Sequence, residues 1–155
     1  MKTLWIILGI LAALGLACCG GMFFFGKGLF DKALATNDDA NAYASKILPE
    51  IAKDWDINVM AKFASKEFQE QVKEADLKAL LNVYKSKLGS YKSAEKFTSA
   101  GFEAKTLNGE SYVLVTTKAL TEFEKGKGTV TFEVLNRNEE WKLLSIEVNS
   151  DALKK

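Results

Sequence analysis

The chain has 155 residues, 48% of them apolar, which is room for one folded domain and an appendage. Net charge is +1 from 21 basic and 20 acidic residues of interspersed sign, and Arg137 is the only arginine, so the basic stripe that would mark nucleic acid as a partner is missing. Histidine is absent and Cys18 and Cys19 are the only cysteines, which excludes Cys/His zinc sites, Ser-His and Cys-His nucleophile pairs and imidazole acid-base chemistry after Cys19. No metal and no cofactor are expected.

From Leu4 to Phe25 there is no charge and no strongly polar side chain. At a rise of about 1.5 Å per residue this run reaches about 33 Å, against about 30 Å of bilayer hydrocarbon. Residues 1–28 are therefore expected to be an uncleaved signal-anchor helix with its core at 4–25. A cleaved secretory signal would end near Ala17, but the apolar character continues through Met22, Phe23, Phe24 and Phe25, as a span requires. Gly9, Ala13, Ala17 and Gly21 recur every four residues and share one helix face, the small-residue stripe that lets membrane helices pack closely, although small residues are also simply frequent in such helices.

The same run resembles the lipidation signal of bacterial lipoproteins, which ends in a leucine, two small residues and the modified cysteine. Before Cys18 stand Gly15, Leu16 and Ala17, with leucine one position too close; before Cys19, Cys18 occupies a small-residue position. Cys18 is thus the lipidation candidate, and the preferred reading keeps both cysteines inside a spanning helix. Lys2 before the span and Lys27 and Lys32 after it nearly balance. Signal-anchor logic then places the C-terminal domain on the periplasmic or extracellular side.

Residues 29–37 read as a short juxtamembrane connector and 38–155 as the folded domain. Asn37 or Asp38 caps a helix whose apolar positions Ala40, Tyr43, Ala44, Ile47, Leu48, Ile51 and Trp55 follow helical period, with a kink or split expected at Pro49. A short helical piece holds Val59, Met60, Phe63 and Phe68. A further helix runs from about Asp76 to Leu88 on the stripe Leu77, Leu80, Leu81, Tyr84 and Leu88, and Gly89 stops it.

After Gly89 the period becomes alternating. Strands are expected over 92–98 and 102–106, a hairpin at Asn108-Gly109, and a long strand beginning at Glu110. A turn at Lys125 to Gly128 leads into a strand with Val130, Phe132 and Val134 on one face. Asn136 to Glu139 turns into a last strand, where the phase shift between Trp141/Leu143 and Leu144/Ile146/Val148 implies a bulge or bend.

Helices first and antiparallel strands last give an α+β domain with helices packed on a curved sheet. This order, with "GKGTVTFEVLNRNEEWKLLSIEV" as its closing hairpin, resembles the NTF2-like superfamily of cystatin-like α+β cones, over roughly Asp38 to Val148. The resemblance implies a pocket between helices and sheet, for which Tyr84, Tyr91, Tyr112, Phe132 and Trp141 are the candidate lining; the same aromatics would equally fill a core. Steroid isomerases of that superfamily depend on aspartates, yet no Asp occurs between Asp76 and Asp151, and Glu95, Glu103, Glu122, Glu124, Glu133 and Glu147 alternate as a solvated face would. The expected function is a non-enzymatic binding or assembly domain, tethered by its anchor in the lipid bilayer. It would hold a protein partner, a second copy or a small apolar ligand. The alternatives are an enzyme with a Tyr/Glu acid-base pocket and the same domain anchored as a lipoprotein.

Overall fold

The computed structural model describes residues 36–107 and 110–154. The expected anchor and residues 29–35 of the expected connector, with Gly9, Ala13, Ala17, Gly21 and Cys18, and the expected Asn108-Gly109 turn lie outside the described residues; Thr36, Asn37 and Asp38 are already helical, so neither Asn37 nor Asp38 is the helix cap expected of them. Among the described residues no helix is long and apolar enough to cross a membrane.

The unit Asn37–Lys155 is an α+β fold in which helices pack on a curved antiparallel sheet. Residues 36–54 form the described part of α1, and its inward stripe of Ala40, Ala44, Ile47, Leu48 and Ile51 is fully buried. The split expected at Pro49 does not occur, because the helix continues to residue 54. A proline inside a helix costs about 3 kcal/mol, and burial of Ile47, Leu48, Ile51 and Ala52 on either side of it offsets that loss.

The short helical piece is two helices, α2 (Ile57–Phe63) and α3 (Lys66–Gln71). Asp56 caps the first by accepting from Asn58 N–H at 2.6 Å, and Ser65 caps the second by accepting from Phe68 N–H at 3.1 Å. Between them the chain touches the sheet, where Ser65 N–H donates to the Leu143 carbonyl at 2.8 Å and Ala64 makes a bridge to the same residue. Helix α4 spans Glu74–Leu88 and ends at Gly89, whose φ of +72° suits glycine. Leu77, Leu81, Tyr84 and Leu88 are buried, but Leu80 is 38% exposed and lies at the margin of the stripe beside exposed Val83.

The strands are β1 (Tyr91–Ala94), β2 (Thr98–Leu107), β3 (Glu110–Phe123), β4 (Gly126–Arg137) and β5 (Glu140–Asn149), followed by a 3-10 turn at Asp151–Leu153. β1 and β2 lie end to end along one side of β3, with β4 and β5 on its other side. Phe97, in the link between β1 and β2, is buried against Phe132 with ring centroids 5.8 Å apart.

The third turn is shorter than expected. Only Glu124 and Lys125 separate Phe123 from its partner Gly126, so Gly126 and Gly128 belong to β4 itself. A Cβ at Gly128 would come within 2.9 Å of the Asn149 carbonyl, so that glycine marks a close backbone approach rather than a turn. The last hairpin turns on Asn138 and Glu139, with φ of +53° and +66°. The expected bulge is present: Glu133 pairs with Ser145 and Val134 with Leu143, which leaves Leu144 as the extra residue.

Candidate functional site

The two short helices α2 and α3 and the longer α4 leave a gap between them. Each is anchored separately: α2 by buried Met60, α3 by buried Phe68, α4 by Leu77 and Leu81. Between them runs a groove of 330 Å³ whose apolar lining includes Ile57, Ala61, Phe68, Val72 and Leu77. Asn58, Gln69 and Glu74 supply its polar groups. The Gln69 amide donates toward the carbonyls of Ala61 and Ala64, both at 3.4 Å, and ties α3 to the end of α2. A mostly apolar concavity of this size with a few polar groups has the character of a small-ligand site.

The five aromatic residues proposed to line one pocket are distributed over the fold. Tyr84 is buried and packs on Trp55 at 5.0 Å between ring centroids. Phe132 is fully buried in the sheet core. Tyr91 is half-buried in β1 opposite Phe123. Trp141 is half-buried and stacks on Tyr43 of α1 at 6.4 Å. Tyr112 lies under the Arg137 guanidinium, 5.4 Å from the ring centroid, and lines a shallow cleft of 220 Å³ with Lys105, Val113 and Asn136.

Two tyrosines have perturbed hydroxyls. Burial, and then the nearby Glu140 carboxylate, push Tyr43 up to about 12, and its hydroxyl donates to the Phe63 carbonyl at 3.4 Å. Burial also raises Tyr84, partly offset by a hydrogen bond with the Val148 backbone. Of the six glutamates, Glu103, Glu122, Glu133 and Glu147 lie in strands and Glu95 and Glu124 in the links beside them, and all six are half-buried or exposed. Among the described residues no group of His, Cys, Asp and Glu is arranged to hold a metal ion.

A second cleft, of 500 Å³, lies between α3 and the β4–β5 turn. It is polar, with Lys62, Lys66, Arg137 and Lys142 facing Glu67 and Glu140, and the Arg137 guanidinium donates to Glu67 at 2.7 Å.

Of the groove residues, Phe68 and Leu77 were visible in the sequence as helix-forming apolar positions, and Ile57, Ala61 and Val72 carried no signal that set them apart. Ile57, Ala61, Val72 and Leu77 look like ordinary core residues until the two short helices are seen to diverge. No family model, curated protein or solved structure matches the chain.

Proposed function

We propose that the protein is a single-pass membrane-anchored, non-enzymatic binding or assembly domain of NTF2-like build, displayed on the periplasmic or extracellular side. It takes a small apolar ligand, or the apolar side chains of a protein partner, into the groove between α2, α3 and α4. The observation that carries this reading is the groove itself, with Ile57, Ala61, Phe68, Val72 and Leu77 around 330 Å³ of open space. The anchor rests on the uncharged run Leu4 to Phe25.

The Tyr/Glu neighbours that would serve an enzyme are Tyr43 with Glu140 and Tyr84 with Glu147, and burial raises both phenols. A phenol pushed to about 12 and already donating to a backbone carbonyl is a poor acid or base at neutral pH, which favours binding over catalysis.

A thermal-shift screen of the full chain with small apolar compounds tests the groove. Ala61 is exposed and lines it, so Ala61→Trp should fill the space without disturbing the core. Ligands that raise the wild-type Tm should leave this variant unmoved. No shift across the library, or an equal shift in the variant, would count against the groove. The anchor has its own test in the intact mass of membrane-extracted protein. An unprocessed chain supports the signal-anchor, whereas loss of the residues before Cys18 with gain of acyl mass means a lipoprotein.

A further inference from the structure

The two edges of the sheet are treated differently. On β5, Ser65 N–H occupies the Leu143 carbonyl, Ala64 bridges Leu143, and the Tyr84 hydroxyl meets the Val148 backbone. On β2, among the described residues, no strand or bridge pairs with the outer side. β2 also carries Phe102, which is 43% exposed although its cross-strand partner Val115 is fully buried. A free edge is a template for another strand unless something blunts it.

The ladder phase shows which groups that edge offers. The two-residue turn between Phe123 and Gly126 makes this a hydrogen-bonded pair, so odd-numbered residues of β3 bond to β4 and even-numbered ones bond the other way. Leu120 agrees, since its carbonyl accepts from Glu95 N–H at 2.9 Å on the side away from β4. Tyr112, Leu114 and Thr116 therefore bond to their partners Lys105, Glu103 and Gly101. Phe102, Ala104 and Thr106 are left with backbone N–H and C=O directed outward.

We propose that this edge binds a second copy of the chain, β2 against β2, antiparallel about a two-fold axis at Ala104. In that register Ala104 faces Ala104, and Phe102 faces Thr106 of the second copy, which matches outward groups to outward groups in about six hydrogen bonds. Glu103 then stands opposite Lys105 of the second copy, twice, at the non-hydrogen-bonded positions where side chains approach most closely. Within one chain these two residues pair at 2.6 Å while remaining 63% and 51% exposed. Centring the axis on Phe102 would put Glu103 opposite Gly101, and centring it on Thr106 would put Lys105 opposite Leu107. The Ala104 register alone of these three satisfies both charges.

Strand pairing alone buries less than the roughly 1,000 Å² of a stable interface, so the dimer is weak in dilute solution. Its mass is best measured on the full chain in detergent micelles at up to about 1 mM, the effective concentration of tethered partners. Glu103→Lys and Lys105→Glu should each weaken dimerisation about tenfold, because two facing pairs become like charges. The double reversal Glu103→Lys with Lys105→Glu should restore it. Ala104→Pro removes an outward N–H and spares the bonds to β3, so it should abolish the dimer while circular dichroism and Tm stay close to wild type. A monomeric wild type overturns the proposal, as does a dimer indifferent to all four variants. Neither result touches the groove, which is read by ligand-dependent Tm.

Discussion

The indole N–H of Trp55 donates to the carbonyl of Gly89 at 2.8 Å, a buried bond between residues 34 positions apart. It joins the ends of the two long helices, since Trp55 follows α1 and Gly89 follows α4, and both residues have positive φ, +52° and +72°. Tryptophan at positive φ is strained by about 1–2 kcal/mol relative to a right-handed conformation. The strain is held by packing, because the Trp55 ring contacts both Tyr84 and Phe123. The Trp55 to Gly89 link thus ties the C-terminal end of α4 to the end of α1.

Trp55→Phe keeps an aromatic ring but leaves the Gly89 carbonyl without its donor. An unsatisfied buried acceptor costs about 1–3 kcal/mol, and the change in urea midpoint should fall in that range. A midpoint equal to wild type would mean that packing alone positions the helix end.

The Glu67 carboxyl is held below its usual range, first by a hydrogen bond to its own backbone N–H and then by the Arg137 and Ser65 side chains. A depressed folded pKa contributes stability above the unfolded value, near 4.5, and loses it as pH falls through the folded value. Glu67→Gln should therefore cost up to about 1 kcal/mol at pH 7. Below the folded pKa the two proteins should converge in stability. Chemical denaturation at several pH values checks both, and a constant difference down to strongly acid pH would contradict the assignment.

Tyr43 gives the opposite sign. Its folded pKa is raised to about 12 from the model-compound 10.0, so its contribution is complete below the unfolded value and disappears as pH rises through the folded one. Ultraviolet titration should show two phenols ionising late in wild type, Tyr43 and Tyr84, and one fewer in Tyr43→Phe. The variant should also lose less stability between the unfolded and folded values. A Tyr43 ionisation at the ordinary tyrosine pKa would mean that the stack with Trp141 is open to water.

Periodicity in the sequence was sufficient where an element's neighbours impose nothing unusual. The stripe Leu77, Leu81, Tyr84, Leu88 and the stop at Gly89 describe α4, and the phase change across Leu143 and Leu144 announces the β5 bulge. It was insufficient where tertiary contact overrides local preference. Pro49 sits inside a helix because the flanking residues are deeply buried. Gly126 and Gly128 look like turn residues but lie in a strand that passes close to Asn149 and Ser150. The break between α2 and α3 depends on Leu143, far along the chain, accepting from Ser65. For the same reason the candidate aromatics could be chosen by type but not by place, since Tyr84, Phe132 and Trp141 each find a different partner ring or layer.

If the groove between α2, α3 and α4 receives an apolar partner, that partner lies within reach of position 61. Site-specific photo-crosslinking of the full chain tests this, with a small aliphatic diazirine side chain in place of Ala61, which leaves the groove open, and exposed Lys118 on the opposite sheet face as control. The expected result is a discrete adduct from position 61, absent at 118 and lost when the groove is blocked by a competing apolar ligand. Equal labelling from both positions, or no adduct from 61, would contradict it.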